Sequence, residues 1–359
     1  MLKSIPKTLI LAMCASAPVL ANGATRSPEE AKDVAAEFFK AEHINRLADK
    51  DALSLVHVVN NGALKPVSYV FNANDGKGFI IVSAETEAIP VIGYSDTNIW
   101  DLGAIPAVTQ TLLSEPVFES YAPVRRATRA EAQEKVLETP EWSQEAPFNN
   151  NIPNRRLTGC VGVALAEIMK YHNTPATRPA SLVNSGEATT YEWDKMRMDN
   201  YRSGYGEEES NAVATLVADA AIGIGTEFNL SSSSAFEVKV PYALTSMFGY
   251  DAGVSYKKLS EIKQNEWVDI LVNEVDADRP VLFSGQDVSA GHAFVCDGYK
   301  IEGSTIMLHF NWGWGGSANG YFNPGALNPV VSKSHSYNDL QTIIYNIKPA
   351  SNNLAWSPI

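Results

Sequence analysis

The chain has 359 residues, 45% apolar and 19% charged, a composition typical of a soluble globular protein long enough for two domains. Its formal net charge of -13 argues against nucleic acid as a partner, because nucleic acid is bound mainly by basic patches that neutralise phosphates. Beyond the N-terminus, no stretch approaches the ~18 consecutive apolar residues that a membrane span needs, so we expect no membrane span.

The first 21 residues have the pattern of a signal peptide. Lys3 and Lys7 precede the apolar run 9–15, and a cleavage site follows at Ala21. We therefore expect export and a secreted, extracellular protein. A lipid anchor on Cys14 or a periplasmic location are the alternatives.

Residues 22–139 are predicted to form a separate α+β unit. Ser27 and Glu30 make a capping box with Pro28 at the first helical position, so a helix begins there. Strand-like runs at 67–71, 79–83 and 90–95 predict an antiparallel meander packed on that helix.

The end of this unit, 121–139, is polar and charged and has no apolar stripe. Such a segment is typical of an exposed, cleavable linker. The alternative is an ordinary N-terminal domain joined to the next domain by a solvated helix.

Residues 140–359 are predicted to form a second α+β domain with two lobes, because helices come first and antiparallel strands follow. The predicted helices are at 160–172, 209–224, 236–249 and 258–276, and the predicted strands are at 280–286, 291–300, 304–311 and 342–348. We expect the strand that begins at Gly291 to end in a turn at Asp297-Gly298.

Cys160 follows Gly159 at the start of the first of these helices. Unpaired N–H groups and the partial positive charge of a helix N-terminus lower a cysteine pKa and can stabilise an oxyanion. The alternative is a structural cysteine that packs as a small hydrophobic residue.

His292 is the candidate base for a Cys160 nucleophile. It opens a predicted strand after two small residues, 132 positions downstream, and a Cys…His order with a long gap is the papain-like arrangement. The histidine at 172 is ruled out because it lies about 18 Å along the same helix as Cys160.

Two further segments carry groups that such a pair needs. Asn311 and Trp312 can hold the second nitrogen of the imidazole and screen its face, although a Gly/Trp-rich turn over the core has the same composition. Gln144 offers a side-chain N–H₂ to an oxyanion hole.

Cys296 and Cys160 remain after removal of the signal peptide. Cys296 lies about 13 Å along the strand from His292, so a disulfide to a Cys160 that contacts His292 is out of reach, and we expect Cys296 to be buried on the face it shares with His292. No His, Cys or Asp cluster has the spacing of metal ligands, so neither a metal nor a cofactor is expected.

Five segments together resemble the streptopain family of secreted bacterial cysteine proteases. They are Trp142-Ser143-Gln144, Thr158-Gly159-Cys160-Val161, 168–173, Gly291-His292-Ala293-Phe294-Val295 and 311–316, in the order and spacing of the family. A fainter likeness of 78–84 and 91–95 to the family's propeptide extends upstream.

The resemblance implies a papain-like two-lobed protease domain at 140–359 and an inhibitory propeptide at 22–139, with activation cuts between 121 and 141. By resemblance, Cys160 is the nucleophile, His292 the base, Gln144 and the Cys160 amide the oxyanion hole, and Asn311 the asparagine near the histidine. Ser234 and Gly291 match positions that hold the substrate backbone.

The implied activity is broad hydrolysis of proteins and peptides, with an apolar residue two positions before the cut (P2). The propeptide would be the intramolecular inhibitor. Two alternatives keep the same fold: another Cys/His acyl-transfer enzyme, such as an amidase or a transglutaminase-like enzyme, and a binding homologue with an inactive site.

Overall fold

The computed structural model describes residues 24–61, 63–104, 133–229, 233–286, 291–302, 305–324 and 341–351. The predicted signal peptide and the 121–132 part of the predicted activation segment lie outside these ranges.

Five α-helices and thirteen strands form the described part of the chain. The helices are α1 (Pro28–Ala41), α2 (Cys160–His172), α3 (Glu207–Gly223), α4 (Val240–Ser246) and α5 (Gln264–Asp276). The strands are β1 (Leu53–Asn60), β2 (Pro66–Ala73), β3 (Phe79–Ser83), β4 (Val91–Ser95), β5 (Gln133–Val136), β6 (Glu227–Phe228), β7 (Ser233–Ser234), β8 (Ser255–Lys258), β9 (Val281–Gln286), β10 (Gly291–Glu302), β11 (Thr305–Asn311), β12 (Gly320–Phe322) and β13 (Thr342–Tyr345). The α+β class expected from the sequence is confirmed.

The N-terminal unit contains the predicted helix and meander. Ser27 and Glu30 form the predicted capping box, with the Glu30 main-chain N–H donating to the Ser27 hydroxyl and the Ser27 N–H donating to the Glu30 carboxylate. The buried face of α1, which includes Phe39, packs on strands β2, β3 and β4. An additional strand, β1, was not predicted and pairs with β2.

One antiparallel sheet joins this unit to the rest of the protein. Its order is β1-β2-β3-β4-β12-β11-β10-β9-β13-β8, and β5 pairs with the far half of β10. The junction is the pairing of β4 with β12, where Tyr94 lies opposite Tyr321. The two predicted domains thus share a sheet.

Strand β5 also changes the interpretation of the predicted activation segment. Residues 133–136 pair with 298–301 of β10, and Leu137 is buried with its N–H bonded to the Asp297 carbonyl. The end of the predicted linker is therefore part of the sheet. The sequence carries no signal for this strand because, within 133–139, the apolar side chain of Leu137 is buried while that of Val136 is exposed.

The second domain packs α2 and α3 on one face of the sheet and α5 on the other. Two predicted helices are shorter than expected: α4 covers only 240–246 of 236–249, and α5 begins at 264 because the chain before it forms β8 and a turn of 3₁₀-helix. None of the helices in the described ranges has the length and apolar content for crossing a membrane.

Candidate active site

Cys160 is the first residue of α2, and the helix behind it is deeply buried. Every residue from Val161 to Lys170 is buried, so packing fixes the position of the first turn. Gly159 caps the helix with φ of 86°, a conformation that favours glycine, and a side chain there would lie 3.3 Å from the Ser233 carbonyl oxygen. The half-buried Cys160 thiol therefore lies at the end of a rigid helix and beside β7.

Strand β10, which carries His292, approaches this thiol. His292 is the second residue of β10 and 5% exposed, and the main chain of the next residue, Ala293, hydrogen-bonds to Cys160 Sγ. This contact brings the start of β10 to the start of α2, although the two elements lie far apart in the chain. Cys296 is a free thiol buried further along β10, as expected.

The His292 ring is held by a main-chain group and by two indoles. Its Nε2 lies 2.8 Å from the Trp312 carbonyl oxygen. Because a carbonyl only accepts, Nε2 donates, and in the neutral ring the lone pair is on Nδ1. Trp314 stacks on the imidazole at a centroid distance of 4.8 Å, and Trp312 lies at 6.3 Å.

Asn311 does not provide the acceptor for His292. Its Nδ2 donates to Thr139 Oγ1 at 3.0 Å and to the Pro140 carbonyl at 2.6 Å, and its Oδ1 accepts from Gly313 N. The acceptor is instead the carbonyl of Trp312, the next residue. Asn311 bonds the loop that follows it, through Gly313 N.

Burial shifts the pKa values of Cys160 and His292 in the directions that disfavour a thiolate–imidazolium ion pair. It raises the pKa of the Cys160 thiol, and hydrogen bonds with the main chain of Ala293 and Val161 only partly offset the rise. Burial also lowers the pKa of His292 to about 4, although the hydrogen bond to Trp312 favours the protonated ring. In this full-length chain the neutral thiol and neutral imidazole are therefore the favoured forms at pH 7.

Gln144 lies near the nucleophile through its main chain. The N–H and the hydroxyl of Thr158 both donate to the Gln144 carbonyl, at 3.3 and 3.2 Å, and Thr158 is two residues before Cys160. The half-buried Gln144 is thus beside the start of α2. Its role as an oxyanion donor stays a prediction.

The two predicted substrate-binding residues lie at the ends of described segments. Ser234 is exposed and is the second residue of β7, directly after Ser233, which approaches Gly159. Gly291 is exposed at the start of β10, opposite Gln286. Their neighbours at 230–232 and 287–290 lie outside the described residues, and their contact with substrate stays a prediction.

The N-terminal unit contacts the loop that holds His292. The Ala318 N–H donates to the Ile99 carbonyl at 2.9 Å, and the Asp101 N–H donates to the Ser317 hydroxyl at 3.2 Å. Asn98 Nδ2 donates to the Asn319 carbonyl at 3.3 Å. These bonds tie the segment after β4 to the loop between β11 and β12.

Sequence reasoning missed four polar residues near the site: Thr139, Asp297, His309 and Asn319. Asp297 was assigned to a turn, but β10 continues through it with a register irregularity between Cys296 and Gly298. His309 falls within the strand predicted at 304–311, and its Nδ1 lies 2.6 Å from Asp297 Oδ1. A polar residue inside an otherwise apolar strand is the signal that could have indicated Asp297 and His309.

No group of three or more His, Cys, Asp or Glu in the described ranges could hold a metal ion. The groups that hydrogen-bond to Cys160 Sγ belong to the main chain of Ala293, Val161 and Cys160 itself. Such groups suit nucleophilic acyl chemistry.

Comparisons with known proteins agree with this geometry. The family model described as Peptidase C10 family matches residues 142–322, and the one described as Spi protease inhibitor matches residues 21–116. The chain is 32% identical over 79% of its length to the thiol protease/hemagglutinin PrtT of Porphyromonas gingivalis, and it spans 37% of that protein. It is 27% identical over 90% of its length to streptopain of Streptococcus pyogenes, and it spans 92% of that protein.

Two solved structures of interpain A of Prevotella intermedia are similar to this one. Prointerpain A, as a fragment with a Cys-to-Ala substitution, matches 85% of this chain and 99% of its own with a TM-score of 0.60 and 25% identity. Active interpain A matches 59% of this chain and 94% of its own with a TM-score of 0.50 and 28% identity. The chain belongs to the Peptidase C10 family of cysteine proteases and has a propeptide domain of the Spi inhibitor type.

Proposed function

We propose that this chain is a secreted cysteine endopeptidase made as a zymogen, with Cys160 as nucleophile and His292 as base. The observation that supports the proposal is the contact of the Ala293 main chain with Cys160 Sγ, because Ala293 directly follows His292, whose Nε2 donates to the Trp312 carbonyl.

In the proposed reaction, the Cys160 thiolate attacks the scissile carbonyl carbon and the His292 imidazolium protonates the leaving amine. Water, deprotonated by His292, then hydrolyses the thioester and releases the acid product and the free thiol. The Cys160 N–H and the Gln144 side chain would stabilise the oxyanion, and one such donor is worth about 2.7–4 kcal/mol in comparable sites. Ser234 and Gly291 would hold the substrate backbone, with an apolar side chain at P2.

We also propose that the N-terminal unit inhibits the enzyme. The bonds from Ile99, Asn98 and Asp101 to the loop 317–319 support this, because that loop precedes β12 and is continuous with the Trp312 peptide. Since β5 belongs to the sheet of the protease domain, we place the end of the inhibitory unit before Gln133, which is earlier than the boundary at 139 expected from the sequence. The predicted signal peptide at 1–21 supports export.

Hydrolysis of a fluorogenic peptide by the processed protein in reducing buffer tests the proposal. We expect hydrolysis that iodoacetamide abolishes and that Cys160→Ala lacks. Cleavage that survives alkylation, or acyl transfer to an added amine without peptide hydrolysis, would contradict it.

His292→Ala tests the pairing. It removes the imidazolium that stabilises the thiolate, so we expect activity to fall by several orders of magnitude and alkylation of the mature enzyme to need a higher pH. An unchanged alkylation rate at mildly acidic pH would refute the pairing.

A further inference from the structure

A set of buried and half-buried side chains connects the segment after β5 to the peptide that holds His292. We call it the Asp297 network and define it by its five members: His309, Asp297, Thr139, Asn311 and Asn319. It crosses from β10 and β11 to residues that the sequence assigned to a cleavable linker.

Asp297 is the centre of the network. It is 3% exposed, and a donor reaches each of its carboxyl oxygens: His309 Nδ1 at 2.6 Å from Oδ1 and Thr139 Oγ1 at 2.6 Å from Oδ2. A threonine hydroxyl has one proton, and the Thr139 hydroxyl uses it in the hydrogen bond that it donates to Asp297. Thr139 Oγ1 can therefore only accept from its other neighbour, Asn311 Nδ2, at 3.0 Å.

The amide of Asn311 is fully used as a result. Its second N–H donates to the Pro140 carbonyl at 2.6 Å, and its Oδ1 accepts from Gly313 N and Asn319 Nδ2, each at 3.2 Å. With both protons and its oxygen engaged, this 1% exposed side chain has one favourable orientation.

Asn319 transmits that orientation to the catalytic peptide. Its Oδ1 accepts from the Trp312 N–H at 3.0 Å, while the Trp312 carbonyl accepts from His292 Nε2 at 2.8 Å. The Trp312 residue is thus bonded on one side to the network and on the other to the base. A displacement of Asn319 would move the acceptor of His292.

The far end of the network is anchored in β5. The His309 ring packs edge-on against Tyr321 at 5.0 Å, and the Tyr321 hydroxyl donates to Glu134 Oε1 at 2.5 Å. The Leu137 N–H donates to the Asp297 carbonyl at 2.8 Å. Residues 134–140 therefore contact the network at several points.

We propose that Thr139 and Asp297 are positioning residues of His292, acting through Asn311, Asn319 and the Trp312 carbonyl. This inference rests on the proposed function. It requires the active enzyme to retain the 133–140 segment, so the final maturation cut lies before Gln133.

The test compares three variants of the processed enzyme. Thr139→Val keeps the shape but removes both hydrogen bonds, whereas Thr139→Ser keeps the hydroxyl. Thr215→Val is the matched control, because Thr215 Oγ1 on α3 also donates once, to the Asn211 carbonyl at 2.8 Å, and accepts once, from Asn151 Nδ2 at 3.1 Å.

We expect Thr139→Val to lower kcat roughly tenfold to hundredfold, since small displacements of catalytic groups cost about that much, and to change KM by less than about twofold. Its alkylation profile should move to higher pH, because a misplaced imidazolium stabilises the thiolate less. Thr139→Ser should restore most of the rate, and Thr215→Val should match wild type.

The activity of the wild-type protein distinguishes failure of the proposed function from failure of the positioning role. No peptide hydrolysis by wild type would refute the proposed function itself. Hydrolysis by wild type together with unchanged kcat and an unchanged alkylation profile in folded Thr139→Val would overturn the positioning role alone.

Asp297→Asn provides a second variant if Thr139→Val does not fold. It is isosteric and places an amide nitrogen where one donor needs an acceptor, so the same loss of kcat is expected.

The intact mass of the mature wild-type enzyme tests, without any variant, whether the active enzyme retains residues 133–140. An active form that starts before Gln133 agrees with the proposal, and an equally active form that starts after Pro140 overturns it.

Discussion

A buried ion pair joins the N-terminal unit to the protease domain, and its loss should weaken inhibition. Glu42, directly after α1, bonds Lys300 of β10, and the two side chains are 12% and 16% exposed. Lys300 Nζ also donates to Tyr94 OH at 3.3 Å, and the 50% exposed Glu302 lies 3.8 Å away. The perturbation is Glu42→Gln in the propeptide, which keeps the shape and an acceptor oxygen.

The expected magnitude follows from the charge that is lost. Hydrogen bonds to charged groups contribute about 1.5–3 kcal/mol and neutral ones about 0.5–1.5 kcal/mol, so the exchange should cost about 1–1.5 kcal/mol. Because 1.4 kcal/mol is a factor of ten, we expect the inhibition constant to rise about fivefold to tenfold.

The assay measures peptide hydrolysis by the mature enzyme with added propeptide fragment 22–116, which covers nearly all of the Spi inhibitor match. Glu37→Gln is the matched control, since Glu37 lies on the same helix but is 69% exposed. Against an enzyme that carries Lys300→Met, the wild-type and Glu42→Gln fragments should have the same inhibition constant. Equal inhibition by wild-type and Glu42→Gln fragments would refute the role of the pair, and no inhibition by wild type would refute the inhibitory role.

Three further predictions concern the full-length protein. Burial lowers the pKa of both His292 and His172 to about 4, so the unfolded state binds more protons than the folded state between pH 6.5 and 4. The free energy of unfolding of the Cys160→Ala proform should therefore fall by up to about 3 kcal/mol per histidine as the pH falls through this range. Thermal melts that do not change with pH would contradict this prediction. Because burial raises the Cys160 pKa in the proform, iodoacetamide should modify the proform appreciably only at alkaline pH, and the mature enzyme at lower pH. Identical pH profiles of alkylation for the two forms would refute a raised Cys160 pKa in the proform. Gly162→Val should destabilise the fold by about 1–3 kcal/mol in thermal melts, because even a Cβ at Gly162 would lie 2.8 Å from Ala221 Cβ across the α2–α3 contact; an unchanged melting temperature would mean that the helices separate freely.

Local signals predicted the elements that they specify. The capping box at Ser27 and the Gly159-Cys160 helix start were correct to the residue, because capping groups and helical periodicity lie within a few positions of each other. β1 was missed because a register irregularity between Leu55 and His57 breaks the two-residue alternation. Its burial pattern has no regular period for sequence reasoning to find.

The Asp297-Gly298 dipeptide shows how a long-range contact can imitate a turn signal. A Cβ at Gly298 would lie 2.8 Å from the Lys135 carbonyl and 2.9 Å from His309 Cβ. The glycine is needed because β5 packs closely there, and that requirement depends on a strand more than 160 residues earlier in the chain. Sequence reasoning saw the glycine but not the strand that requires it.

The sequence predicted the side chains of the candidate site but not the main-chain groups that hold them. Cys160 and His292 were identified by residue type and setting, and the structure brings the residue after His292 into contact with Cys160. The acceptor that holds His292 is a main-chain carbonyl, which any residue type at position 312 could supply, so residue identity carried no signal for it. The sequence carries no signal for Thr139, because its hydrogen-bond partner Asp297 is 158 positions away.

We propose that Cys160 carries out both peptide hydrolysis and self-processing. Intact-mass spectrometry of purified full-length wild type and Cys160→Ala, followed over time in reducing buffer, tests this proposal. We expect wild type to shorten to a form beginning before Gln133 while Cys160→Ala keeps its full mass, and added mature wild-type enzyme should then cut Cys160→Ala at the same place. Shortening of Cys160→Ala by itself, at the rate of wild type, would refute self-processing by Cys160.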